Sequence, residues 1–250
     1  MNSHFIIVWG FVINSLFILF CVYEYHKNNF ENVENENAVI MMGQSNMVGY
    51  DDCSDMWKPI ENSVHVYCFY QCYNHKSDTT WPEKLPLDLG FGLLKNTCGP
   101  ELGFGEMVEN ITIIKIAYSG LGIVHFLPGS QIYKTLLDFL GKKNLTVSTF
   151  FWLQGETDSV IEEESKFYLE RFTQLVSSLR KDIKNDLKIV SALIRSVYTN
   201  STTIRNALIN ISDSTVETDD LNVFDGVHYD SKSTFEIGRR FYSKYKSHVP

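Results

Sequence analysis

The chain is short of positive charge, with 22 lysines and arginines against 30 aspartates and glutamates and a formal net charge of −8. No basic stripe is left that would neutralise a phosphate backbone, which argues against nucleic acid as a partner. Histidine or cysteine pairs at zinc-finger distances are also lacking, since Cys68 and Cys72 have no matching second pair, and a metal centre is disfavoured. There is no internal repeat and no second domain-sized block. What remains, 250 residues of which 44% are hydrophobic and 21% charged, is enough for one well-buried domain.

One long hydrophobic run is present. Phe5 to Tyr23 is almost unbroken apolar sequence without a polar face, which separates it from an ordinary core helix, and it is just long enough to span a bilayer. It has no lysine or arginine ahead of it and no Ala-x-Ala behind it, the marks of a cleaved signal peptide. Residues 1–27 are therefore read as an N-terminal hydrophobic helix serving as a signal anchor, with a signal peptide as the alternative. Residues 28–35 follow as a polar tether and 36–250 as the domain. The charges flanking the run are too few to set orientation. Four cysteines of the domain, Cys53, Cys68, Cys72 and Cys98, allow two disulfides in an oxidising compartment, while Cys21 lies inside the run. Sequons at Asn110, Asn144, Asn200 and Asn210 point the same way. The expected location is membrane-anchored with a luminal or extracellular domain, or secreted if the leader is cleaved.

Within the domain, apolar runs rich in β-branched residues recur at 38–42, 64–70, 111–117, 147–153 and 187–193, as befits strands buried on both faces of a parallel sheet. Helical patterns fall at 131–140, 161–184 and 233–245. The alternation predicts an α/β sandwich with its ligand beyond the carboxyl ends of the strands. The segment 51–90, rich in Trp, Tyr, Pro and Asp, is read as irregular structure able to roof a cleft.

Chemistry-bearing residues cluster just after those runs. Gly43-Gln44-Ser45-Asn46-Met47 places a serine where the chain leaves the first strand, and amides at a following helix start can stabilise charge on a carbonyl oxygen. Asp225-Gly226-Val227-His228, ahead of the last helix, offers a base with a carboxylate three residues away to hold its tautomer. Trp152 to Asp158 follows the fourth run. There Gln154 can donate to an oxyanion, and Glu156 and Asp158 can organise loops or cap the next helix. A glycosidase using those two carboxylates is a less economical reading. His125 is held as a substrate contact against a structural role.

These blocks, in this order, resemble the SGNH hydrolases, in the branch of sialate O-acetylesterases and plant-type carbohydrate acetylesterases. Gly43 to Met47 with Gly49 looks like the nucleophile block, and Gly99-Pro100-Glu101-Leu102-Gly103-Phe104-Gly105 like a second signature. Lys115 to Gly120 is similar to the block with an oxyanion-hole glycine, Trp152 to Asp158 to the Trp-x-Gln-Gly-Glu-x-Asp block, and Asp225-x-x-His228 closes the set. The resemblance implies a flavodoxin-like α/β/α sandwich with a central parallel sheet and an acyl-serine mechanism. It implies no metal or organic cofactor. Ser45 would be nucleophile, His228 base and then acid, and Asp225 its orienting partner, with the amides of Ser45 and Gly120 and the Gln154 side chain as oxyanion hole. The expected substrate is an O-acetylated carbohydrate. Where the family commonly reads Gly-Gly-Thr this chain has Ser119-Gly120-Leu121, a departure that bears on the acyl pocket. Two alternatives are a lipid or thioester hydrolase of the same superfamily and a catalytically silent, membrane-tethered carbohydrate-binding protein.

Overall fold

Alternate side chains along the central strands enter two different cores. Ala38, Ile40 and Met42 face one apolar cluster with Ile114, Ile116, Phe150 and Trp152, whereas Val39 and Met41 face another with Ile113, Phe151 and Val190. This two-sided burial is the reason these strands read as continuous apolar runs. A computed structural model describes residues 35–61, 63–75 and 81–248. In chain order it contains β1 (Glu36–Gly43), α1 (Ser45–Val48), β2 (His65–Tyr70), β3 (Leu85–Pro86), α2 (Glu101–Gly105), β4 (Thr112–Ala117), a 3₁₀ turn (Ile123–Phe126), α3 (Gln131–Leu140) and β5 (Leu145–Leu153). Then come α4 (Glu156–Ser159), α5 (Glu162–Lys166), α6 (Tyr168–Asp182), β6 (Lys188–Ala192), α7 (Ser201–Ile211), β7 (Ser214–Val216) and α8 (Ser231–His248).

The sheet runs β3-β2-β4-β1-β5-β6-β7 and is parallel except for the two-residue β3. One face is covered by α3, α6 and α7 through Leu136, Phe139, Phe172, Leu175, Ile204 and Leu208. The other is covered by α2 and α8 through Leu102, Phe104, Phe235, Ile237 and Phe241. The result is the α/β/α sandwich expected. The stretch 161–184 is not one helix: it breaks at the exposed Phe167, whose φ of −93° and ψ of −1° end α5 before α6 begins. The helix start expected after β1 is α1, while the short elements β3, β7, α2 and α4, and the longer α7, lie outside the sequence expectation. The apolar run Phe5 to Tyr23 and the tether lie outside the described residues; among the described residues no helix is long and apolar enough to cross a membrane.

Two disulfides form. Cys53–Cys98 joins the segment after α1 to the segment before α2, and Cys68–Cys72 closes the end of β2. Within the segment 51–90, Trp57 lies beside Phe235 of α8 and donates Nε1–H to Asp88 at 2.8 Å.

The topology sets where chemistry can sit. Central β1 pairs with β4 on one side and β5 on the other, so its last residue, Gly43, lies level with both Ala117 and Leu153. The three loops that follow, carrying Ser45, Gly120 and Gln154, therefore leave adjacent strand ends at the point where the sheet order diverges, the usual ligand position in such folds.

Candidate active site

A side chain at Gly43 would put Cβ 2.1 Å from the Leu153 carbonyl oxygen, so glycine is what lets β1 end this close to β5. The Gln44 amide then donates to Leu153 O at 3.1 Å, and the Met47 and Val48 amides donate to Gln44 O, so the chain turns at once into α1 with Ser45 first. The far end of α1 is pinned by Lys115, which is wholly buried and donates Nζ to Val48 O (2.9 Å), Phe91 O (2.7 Å) and Glu101 Oε2 (2.6 Å). Glu101 Oε1 in turn accepts from the Gly99 amide at 2.8 Å. Burial pushes the Lys115 ammonium below its ordinary pKa, and the Glu101 carboxylate opposes that shift. Two of the sequence blocks thus fix the position of the serine without touching it.

The base is held by its own loop. His228 Nδ1 lies 2.6 Å from Asp225 Oδ2, while Asp225 Oδ1 accepts from the amides of Val227 (2.9 Å) and His228 (2.7 Å). Burial works upward on the Asp225 carboxyl, but the hydrogen bonds from His228 and Val227 outweigh it and hold its pKa down at about 2. Asp225 is therefore a carboxylate at neutral pH. The imidazole is stacked on Tyr50, centroids 4.4 Å apart and planes 5° from parallel, with Phe224 beyond at 6.1 Å. Tyr50 Oη and Ser119 Oγ share a hydrogen bond of 2.6 Å, which ties that ring to the loop after β4.

Asn46 joins the two halves. Its Nδ2 donates to Glu156 Oε1 (2.6 Å) and to Val227 O (3.3 Å), and its Oδ1 accepts from the Tyr229 amide (3.2 Å). Glu156 is buried beside it, and its Oε2 has no hydrogen-bond partner among the described residues. Burial raises the Glu156 pKa, and the Asn46 hydrogen bond pulls against that rise.

Ser45 and His228 line one cavity of about 390 Å³ with Gln44, Tyr50, Ser119, Gly120, Glu156, Thr157, Val160, Tyr198 and Val227. Ser45 Oγ makes no hydrogen bond to His228 here. Gly120 has φ +73° and open space where a Cβ would be, and neither its amide nor that of Ser45 donates to an acceptor among the described residues. The structure therefore brings Ser45, Asp225, His228 and Gly120 together. It does not bring Gln154 to the cavity wall. Gln154 is wholly buried, and its Nε2 is engaged by Leu121 O (3.1 Å), Gln44 Oε1 (3.2 Å) and the Asp158 carboxylate.

Asp158 organises the neighbouring loop by accepting from the Ile123 amide at 3.0 Å and caps no helix; Ile161, without a side-chain cap, precedes α5. Burial raises the Asp158 pKa against hydrogen bonds from Gln154 and Ile123. Of the two carboxylates, only Glu156 reaches the cavity, so the pair is not arranged across it as a glycosidase would need. His125 is exposed on the 3₁₀ turn and lines a separate hollow with Tyr70 and Tyr118. Tyr50, Ser119 and Asn46 had no assigned role in the sequence reading. Asn46 was visible beside the serine, but Tyr50 gave no local sign that it stacks on a histidine 178 residues later. Among the described residues no group of three or more His, Cys, Asp or Glu side chains is placed to hold a metal.

A search among curated proteins finds no match. The chain shares its fold with an Arabidopsis thaliana protein solved at 1.6 Å, at TM-score 0.69 and 18% identity over 86% of this chain and 100% of that one. It also resembles a carbohydrate acetylesterase from Xanthomonas citri, at TM-score 0.61 and 13% identity over 84% of this chain and 56% of that one. A third likeness is to the carbohydrate acetylesterase Est24 from Sinorhizobium meliloti, at TM-score 0.52 and 12% identity over 85% and 100%. The family model described as carbohydrate esterase, sialic acid-specific acetylesterase, matches residues 35–247. The chain accordingly belongs to that family, a carboxylic ester hydrolase of the carbohydrate esterases with the SGNH fold.

Proposed function

We propose that the protein removes acetyl groups from the hydroxyls of a carbohydrate through an acyl-serine intermediate. The observation that carries the reading is the shared cavity of Ser45 and an Asp225-held His228. When substrate enters, His228 Nε2 closes on Ser45 Oγ, a contact that often tightens only in the complex. Oγ then attacks the acetyl carbonyl as His228 takes its proton. The amides of Ser45 and Gly120 receive the oxyanion, and His228 returns the proton to the departing sugar oxygen. Water repeats the sequence on the acetyl-serine. Asp225 stays ionised and stabilises the imidazolium.

A short acyl group fits this cavity better than a lipid tail. Its volume is near the lower end of small-ligand sites, and only Val160 and Val227 among its lining residues are aliphatic. The family's description supports a sugar hydroxyl as the alcohol half of the ester. The direct test is acetate release by the full chain from O-acetylated sialic acid and from acetylated xylan in parallel, with Ser45→Ala as control. Release that falls at least about a thousandfold in the folded variant supports the serine mechanism and names the sugar branch. A variant with near-normal release removes Ser45 as nucleophile. Release from neither substrate, with no acetyl-serine formed by an activated acetate ester, leaves the silent carbohydrate-binding reading.

The apolar run Phe5 to Tyr23 is proposed to anchor the chain in a membrane with the esterase domain on a luminal or extracellular side. The Cys53–Cys98 and Cys68–Cys72 disulfides support an oxidising compartment. Four freely alkylated cysteines in protein taken from cells without reductant, together with extraction by carbonate, would overturn that placement.

A further inference from the structure

The loop after β4 has two sides. Ser119 and Gly120 line the cavity of Ser45 and His228, while their chain neighbours Tyr118 and Leu121 line the hollow of His125, about 350 Å³ in volume, together with Tyr70, Val124 and Gln131. The four loop residues span at most about 11 Å, so a ligand seated over Gly120 reaches the hollow by crossing one turn of chain. The turn at the end of β2 holds the hollow in place. There the Cys68–Cys72 disulfide closes the chain around Tyr70, whose φ of +66° lies in the left-handed region that a bulky side chain seldom adopts and that persists only where surrounding contacts over-determine it. Tyr70 Oη donates to Thr135 Oγ1 of α3 at 3.2 Å, and its ring meets that of Tyr118 edge to face, centroids 6.0 Å apart. Gln71 Oε1 accepts from the Ser119 amide at 2.7 Å, which ties the same turn to the loop between the two hollows. Tyr118 and Val124 nevertheless stay 39% exposed each, and no Asp, Glu, Lys or Arg lines the hollow.

We propose that this hollow is a subsite for a second, uncharged sugar ring, the one joined to the ring that carries the acetyl group. A pyranose presents C–H bonds on its faces and hydroxyls round its edge, and an exposed aromatic ring flanked by a few polar groups matches both. The acetylated ring sits at Ser45 and Gly120, the glycosidic bond crosses the loop, and the next ring lies against Tyr118. The ring nitrogens of His125 and the amide of Gln131 meet its hydroxyls, since either side chain can give or accept a hydrogen bond. The substrate class is thereby an acetylated oligosaccharide rather than a free acetylated sugar. The inference rests on the carbohydrate-esterase reading of the Ser45 cavity and deepens it. No bond is made or broken in the hollow, so its contribution is to binding and to the placing of the ester.

The test compares acetate release by the full chain from acetylated xylotriose and acetylated xylose, and from O-acetylated sialyllactose and O-acetylated sialic acid, with nitrophenyl acetate as an activated ester that has no second ring. In the pair that the parent hydrolyses, kcat/KM is expected to favour the trisaccharide by about tenfold or more, mostly through KM. Tyr118→Ala should lower this trisaccharide-to-monosaccharide ratio about tenfold, and His125→Ala about threefold. The ratio is the quantity read because Tyr118 lies close to Gly120, and any disturbance of that loop falls on both sugars alike. Melting curves monitor folding, and should Tyr118→Ala fail to fold, His125→Ala, at an exposed position, decides. A parent that hydrolyses trisaccharide and monosaccharide without preference, or folded variants that keep the preference, overturn the subsite and leave the esterase standing. Cleavage of nitrophenyl acetate with release from none of the sugars would instead remove the carbohydrate reading, and the subsite with it.

Discussion

Asp225 and His228 stand three residues apart on one loop, with side chains 40% and 21% exposed, and their geometry comes from the loop's own amides and one stacked ring. On the other side of the cavity, Gln44 and Asn46 meet Gln154 and Glu156 from 110 residues away, in full burial. The base side is a local device that water can reach. The nucleophile side is a tertiary device in which every partner is also part of the packing. Substitutions on the base side should therefore change turnover and spare stability, whereas substitutions in the buried network should change stability, and turnover as well where they displace Ser45.

The largest effect is expected at the buried pin of α1. Lys115→Met leaves Glu101 buried without its counter-charge and strips the donors from Val48 O and Phe91 O, which should cost about 3–5 kcal/mol in urea unfolding. A loss below about 1 kcal/mol would mean that this side is no more rigid than the loop opposite it.

Next is Asp225→Asn, which keeps the shape of the residue and removes its charge from His228. Solvent reaches this pair, so the expected fall in kcat is about a hundredfold, less than for a fully buried orienting aspartate, with little change in melting temperature. A variant that lost stability in step with activity would erase the contrast between the two sides.

Smaller again is Tyr50→Leu. Aromatic stacking is worth about 0.5–1.5 kcal/mol, so losing the ring that lies against His228 should lower kcat by about two- to tenfold. Ser119→Ala removes only the hydrogen bond to Tyr50 Oη and should cost less than the ring. If Ser119→Ala matched Tyr50→Leu, the hydroxyl link across the cavity, and not the stacking, would be what orients the imidazole.

The same contrast governs what could be read from the sequence. Strands buried on both faces leave unbroken apolar runs, so β1, β2, β4, β5 and β6 were legible, while the three-residue β7 and the four-residue α4 hold too few repeats of a 2- or 3.6-residue period to show one. Asp225 and His228 were legible because their partnership is local in sequence, and Ser45 because the glycine before it marks the strand end. Which way Gln154 faces was not. An amide two positions from Glu156 after a strand end reads the same whether it opens on the cavity or lies behind it, and only the donors and acceptors of Tyr168, Leu121 and Asp158 decide.

The smallest expected effect concerns Glu156 and separates burial from catalysis. A carboxyl whose folded pKa is raised binds its proton more tightly in the native state than in the unfolded chain. Its ionisation therefore lowers stability as pH rises from the ordinary carboxylate range, and the loss levels off once the native carboxyl has ionised as well. Glu156→Gln keeps an oxygen for Asn46 Nδ2 and removes the ionisation, so the variant's melting temperature should fall less between pH 4 and pH 8 than the parent's, by no more than about 2–4 °C for each kcal/mol relieved. Because Asn46 still bridges to Val227 and Tyr229, kcat should stay within a few-fold of the parent. A large fall in kcat at unchanged pH-stability would instead place Glu156 Oε2, which has no hydrogen-bond partner among the described residues, among the groups that meet substrate beside Ser45.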